Sequence, residues 1–201
     1  MSARTHKHTR NQTRFLASAA KLKNAAPLHP AIARVSNLIR RRDYQAAAEL
    51  LRSAGRDPLV RNTLGVCLLR FGHVEEALAV FRQFVLTPGS VTERADVSNA
   101  CKRNFAMALL MKGSPSGALD VITETREPDH PMAVRIREAV KSWEKSLSWL
   151  RRIDWKLNRI EPPRCQVPID FEPGEFEFEV ETDTVQRQFD KPSDNSLELA
   201  V

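Results

Sequence analysis

The sequence predicts an all-α fold, and three observations carry the prediction. Between Pro30 and Ile160 apolar residues recur at three- and four-residue steps. The breaks in that pattern hold helix-start and helix-stop residues. A small–large apolar signature also returns three times along the same stretch. The 201 residues suit one medium domain with tails, and charge marks the divisions. Residues 1–42 contain ten Lys or Arg and no acid, the first being Asp43, whereas residues 161–201 contain eleven acids against three bases. We read 1–26 as a basic, disordered arm, 27–160 as the helical domain and 161–201 as an acidic tail.

The helix boundaries follow from local chemistry. Asp57-Pro58 offers a capping side chain followed by proline at the first helical position, and Ser114-Pro115 repeats the arrangement. Ser90-Val91-Thr92-Glu93 fits a capping box. Gly72 and Gly113 fall between periodic segments, where a helix ends on a left-handed residue.

The repeat emerges when Ala47, Ala77 and Ala118 are aligned. Five residues before them stand Arg42, Gly72 and Gly113; four residues after stand Leu51, Phe81 and Ile122; twelve residues before stand Val35, Gly65 and Ala106. Small residues let antiparallel helices approach closely, and the large one fills the space beside them. A single hairpin cannot bury its own apolar face, so neighbours must stack.

The second copy reads Leu64-Gly65-x-x-Leu68, Ala77-x-x-x-Phe81 and Pro88. This resembles the tetratricopeptide repeat, whose unit of about 34 residues runs Trp-x-x-Leu-Gly-x-x-Tyr, Ala-x-x-x-Phe and Pro. The resemblance covers residues 28–131. Arg61 stands where the motif has Trp, Leu68 where it has Tyr, and the alanine spacings are 30 and 41 residues. The surplus of seven in the second spacing is close to two helical turns and is expected to lengthen a helix over Val91–Lys112. The resemblance implies a right-handed stack of about three antiparallel hairpins.

Pro131 is predicted to open one long capping helix to about Asn158, with Ile136, Val140, Trp143, Leu147, Leu150 and Leu157 as its buried stripe. Trp149 and Trp155 lie off the stripe. Glu161-Pro162-Pro163 ends the helix. Val167, Ile169 and Phe171, then Phe176, Phe178 and Val180, alternate with polar residues around Glu172-Pro173-Gly174-Glu175. This predicts a β-hairpin at 166–181 or an extended tail. A lone hairpin is marginal in water, so the segment must dock, join a partner or stay unstructured. Residues 182–201 are expected to be disordered.

Chemical motifs argue against an enzyme. There is no Gly-rich phosphate loop, nucleophile elbow or His-Glu-x-x-His. His6 and His8 belong to the arm, and His29, His73 and His130 read as solvent-facing turn residues. No cofactor and no metal is expected. Cys67, Cys101 and Cys165 show no close pairing, which suggests a reducing, cytoplasmic setting. No run approaches the ~18 apolar residues of a membrane span.

The expected function is a non-catalytic protein–protein interaction module, an adaptor, scaffold or assembly factor that takes a peptide or helix in a concave groove. The resemblance implies a groove lined by the first helix of each hairpin: Ile32, Ser36, Ile39 and Arg40, then Asn62, Val66, Leu69 and Arg70, then Arg103, Met107, Leu110 and Met111. Ile39, Leu69 and Leu110 suit inter-helix core equally well, so the expected binding set is Ser36, Arg40, Asn62, Val66, Arg70, Arg103, Met107 and Met111. Family members that clamp a C-terminal carboxylate use cations at positions that here carry Ile32, Ser36, Thr63, Ala100 and Asn104. None is cationic, and that use is not expected. The anticipated ligand is an amphipathic helix or an extended apolar, acidic segment. Residues 169–183 of the chain's own tail fit that description, and the tail is expected to fold back on the helical body, as permanent packing or as a displaceable stand-in for a partner. An alternative is a nucleic-acid-associated protein using Arg4, Lys7, Arg10, Arg14, Lys21 and Lys23 of the arm against phosphates, with Phe15 the only aromatic there for base stacking.

Overall fold

The computed structural model describes residues 29–90 and 94–180. Within these it forms eight helices and no strand: α1 Pro30–Arg40, α2 Tyr44–Arg52, α3 Pro58–Phe71, α4 Val74–Val85, α5 Asn99–Lys112, α6 Pro115–Glu124, α7 Pro131–Ser146 and α8 Trp149–Asn158. The basic arm and the residues beyond 180 lie outside the described chain. Among the described residues no helix is long and apolar enough to cross a membrane.

Each helix packs on the next in sequence, and α1, α3, α5 and α7 also touch one another in succession. The odd-numbered helices therefore form one contiguous layer. α3 and α5 are buried nearly all round, from Val60 to Leu69 and from Cys101 to Leu110, as central elements must be. Gly65 permits the close approach of α3 and α4: a Cβ there would sit 2.3 Å from Cζ of the fully buried Phe81. This is the small–large pairing read from the sequence.

The turn chemistry is largely as expected. Gly72 and Gly113 end α3 and α5 with φ of 90° and 91°. Asp57 caps α3, its Oδ1 accepting from the N–H groups of Leu59 and Val60. His29 and His130 are more than turn residues, because each caps a helix whose first residue is proline. Their Nδ1 atoms accept from Ala31 and Met132 N–H at 3.2 and 3.3 Å.

Two expectations are corrected. The seven surplus residues do not lengthen a helix: α5 starts only at Asn99, where Ser98 accepts from Cys101 N–H. Residues 91–93 of the proposed capping box lie outside the described residues. The long capping helix is broken at Leu147. Ser146 turns its hydroxyl onto Trp143 O at 2.6 Å, competing with the helix ladder, and Arg152 donates to the carbonyls of Glu144, Lys145 and Leu147. The break swings α8 back so that Trp155 meets Trp143 edge to face at 5.1 Å. Ile136, Val140 and Trp143 remain core, whereas Leu150 and Leu157 face outward, the latter 76% exposed. Finally, of the two forms foreseen for 166–181, the described residues take the extended tail. Their backbone hydrogen bonds go to helix side chains rather than to a second strand.

Candidate functional site

After α8 the chain turns along the helical body. Glu161 accepts from Ser116 N–H at 3.2 Å and from the Ser114 and Ser116 hydroxyls. It thus caps α6, whose own Ser114 makes no side-chain cap bond. The chain then passes Gly113 so tightly that a Cβ there would lie 2.1 Å from Cys165 O. From Val167 to Val180 it lies over the layer of odd-numbered helices, its apolar residues packed against the core.

The contact centres on a Pro-Gly step. Arg70 of α3 donates from Nε to Pro173 O at 3.1 Å and from Nη2 to Gly174 O at 3.0 Å. Its Nη1 lies 3.0 Å from Glu172 Oε1, which also accepts from the Tyr44 hydroxyl at 2.9 Å. The same guanidinium sits 4.6 Å from the centre of the Phe176 ring. One arginine thus grips two carbonyls, a carboxylate and an aromatic face.

One helical layer further on, Asn104 of α5 reads the main chain at Glu175 in both directions. Its Oδ1 accepts from Glu175 N–H and its Nδ2 donates to Glu175 O, each at 2.8 Å. Nδ2 also donates to Asn62 Oδ1 at 2.9 Å. The Asn62 amide in turn donates to Glu177 Oε1 at 2.7 Å. Arg103 donates to Glu175 Oε1 at 2.6 Å and pairs with Glu127 as well. His130 stands 3.8 Å from the second Glu175 oxygen. Gly174 is buried with φ of +75°, and a Cβ there would lie 3.2 Å from both Val66 methyls. Only glycine passes this point without strain.

Electrostatics reinforce the geometry. The Asn99 amide, then the positive charges of Arg103 and His130, hold the Glu127 carboxyl below its usual range. Burial raises the Tyr44 phenol, with Glu172 adding to the rise and Arg70 opposing it. Burial pushes the Cys67 and Cys101 thiols up to about 12, so at neutral pH neither is a thiolate nucleophile. The arrangement suits holding a polypeptide by its main chain and its acids.

Of the expected groove residues, the structure brings Asn62, Val66, Arg70 and Arg103 together beneath this segment. Met107 is buried in the core, and so are Ile32, Ile39, Leu69 and Leu110. Ser36 and Arg40 bond within α1, to Ala33 O and Asn37 Oδ1. Met111 lies elsewhere, near residues 164–166. The chain's own residues 167–180 lie over the hollow, with a cleft left beside Phe176 and Phe178. Residues missed from the sequence are Asn104, set aside with the clamp positions, together with Tyr44, Gly174 and the acid partner Glu127. A polar residue inside the apolar run Phe105–Leu110 and its flank was the available signal for Asn104. No family model matches the chain, and no curated protein or solved structure matches it either.

Proposed function

We propose that this chain is a non-catalytic protein-interaction module, an adaptor or assembly factor. Its helical hairpins stack in the tetratricopeptide manner, and the odd-helix face holds an extended polypeptide segment. The observation that supports this most is the two-way hydrogen bonding of Asn104 to the Glu175 main chain. That contact recognises an extended backbone and is indifferent to most side chains, as in strand-like peptide capture. Arg70 and Arg103 add charge-assisted bonds to carbonyls and carboxylates. In this reading residues 166–180 occupy the face that serves a partner, and the three free cysteines suit a reducing, cytoplasmic setting.

The test is affinity capture from native lysate with the full chain and with an Arg70→Glu/Arg103→Glu form. Protein partners retained by the first and lost by the second uphold the reading. Partners retained equally by both place the binding surface elsewhere. Capture abolished by nuclease, or by removing residues 1–24, would favour the nucleic-acid alternative through the basic arm.

A further inference from the structure

The contacts made by residues 172–177 define a recognition pattern. Position 174 selects glycine, because its φ is +75° and a Cβ there would press on the Val66 methyls at 3.2 Å and on Asn104 Oδ1 at 3.4 Å. Proline before it leaves the carbonyl of residue 173 as that residue's one main-chain hydrogen-bonding group, and Arg70 takes it. An acid two residues before the glycine meets Tyr44 and Arg70. An acid directly after the glycine meets Arg103, and an acid three after meets Asn62. An aromatic ring two after the glycine lies against the Arg70 guanidinium. Arg70 imposes three of these requirements, with Tyr44 beside it, while Arg103, Asn62 and Val66 impose the others.

The described residues of the segment leave part of the face uncovered. Beside Phe176, Phe178 and Val180 a cleft of about 520 Å³ opens, walled by Ile39, Tyr44 and Met132 and rimmed by His130 and Arg135. Bulkier side chains at those positions would bury more apolar surface than the resident ones do. The face therefore has room for a ligand with larger side chains at these positions.

We infer that the natural ligand of this face is an extended segment of a partner protein carrying acid-Pro-Gly-acid-aromatic-acid, with residues 172–177 as a tethered competitor. This rests on the interaction-module reading and adds the partner's chemistry to it. Tethering gives the resident segment an effective concentration on the order of 1 mM. If its intrinsic affinity is about 10 µM, an outside copy binds about 100-fold more weakly than it would to an empty face. A partner must then exceed the resident in affinity or arrive when the resident is displaced.

The experiment uses the full chain and a labelled synthetic peptide with the sequence of residues 168–180. Binding is read by fluorescence anisotropy to the unaltered chain and to two forms in which only the resident segment is weakened, Glu175→Lys and Gly174→Ala. Circular dichroism verifies that the helices of each form are intact. Two control peptides carry alanine at the glycine position or the same residues with the acids permuted. The expected result is at least 10-fold tighter peptide binding by the weakened forms than by the unaltered chain, with at least 10-fold loss for both control peptides. Equal binding of all three peptides would overturn the recognition pattern while leaving the interaction-module reading standing. Equal affinity of the unaltered and weakened chains would overturn the competitor role. No peptide binding by folded, weakened forms would overturn the inference and the occupied-face reading together.

Discussion

Replacing Asn104 with alanine removes one side chain from a fully buried position and with it three hydrogen bonds. Each contributes about 1 kcal/mol net, and groups left dry without a partner cost about 1–3 kcal/mol more. The orphaned groups are the Glu175 N–H and C=O and the Asn62 carbonyl oxygen. The grip on residues 170–178 should weaken by about 3–5 kcal/mol, a large share of the ~5–15 kcal/mol that holds a typical domain. At ~1.4 kcal/mol per tenfold, the Glu175 amide should exchange between a hundred and a few thousand times faster. Hydrogen exchange read by mass spectrometry separates peptides from this segment from those of α2, α4 and α6. Asn104→Asp serves as a control, since it keeps the acceptor for Glu175 N–H but loses both donated bonds. Unchanged exchange at 170–178 would refute the reasoning. So would equal acceleration in every helix, because Asn104 would then support the core and not the docked segment.

Gly65→Ala should destabilise the chain by about 1–3 kcal/mol in urea, since the overlap with Phe81 outweighs the ~1 kcal/mol that alanine gains in helix propensity. Phe81→Leu in the same chain should recover part of that loss. The Glu127 carboxyl is held low by Asn99 and by the charges of Arg103 and His130. Its folded pKa is below its unfolded one, so its stabilising contribution is complete above the ordinary carboxylate range and disappears as pH falls through the lowered value. Urea midpoints measured from neutral to acid pH should show that loss, and Glu127→Gln should flatten it. Tyr44 is the single tyrosine, and its raised phenol reports docking. Alkaline titration by tyrosinate absorbance should give a midpoint above ~10 in the intact chain and one nearer ~10 in Glu175→Lys.

Where the sequence was legible, the governing physics was local. Gly72 and Gly113 had to be left-handed because helices end there, and Asp57-Pro58 can only start one. Arg70 and Arg103 stood out because a cation inside an apolar run needs a partner. What escaped was decided at a distance. Ser90 was the cap read from the sequence, whereas α5 starts behind Ser98, whose hydroxyl accepts from Cys101 N–H. The Ser146–Ser148 break depends on Trp155 returning to Trp143, a choice made by packing and not by the apolar stripe. The alternation at 167–180 was read as a hairpin or an extended tail, and what decides for the extended form is a set of hydrogen-bond partners on helices some 70–130 residues away. Asn104 was passed over for the same reason, since its purpose becomes visible only with Glu175 beside it.

That pair also explains what the buried polar groups are for. A segment held by apolar contacts alone could shift, because Phe176 and Phe178 offer the same surface two residues apart. A shift by one residue would bring Pro173 or Glu175 against Val66, where a Cβ at the present backbone position lies only 3.2 Å from both methyls. It would also leave the Asn104 amide facing a main chain out of phase. Buried polar contacts add little stability relative to apolar packing, but they penalise every alternative register. The Asn62–Asn104 pair and Gly174 therefore fix where the chain sits, while Arg70 and Arg103 select its charge. A surface built this way discriminates between extended segments by register and acid placement more than by the area they bury.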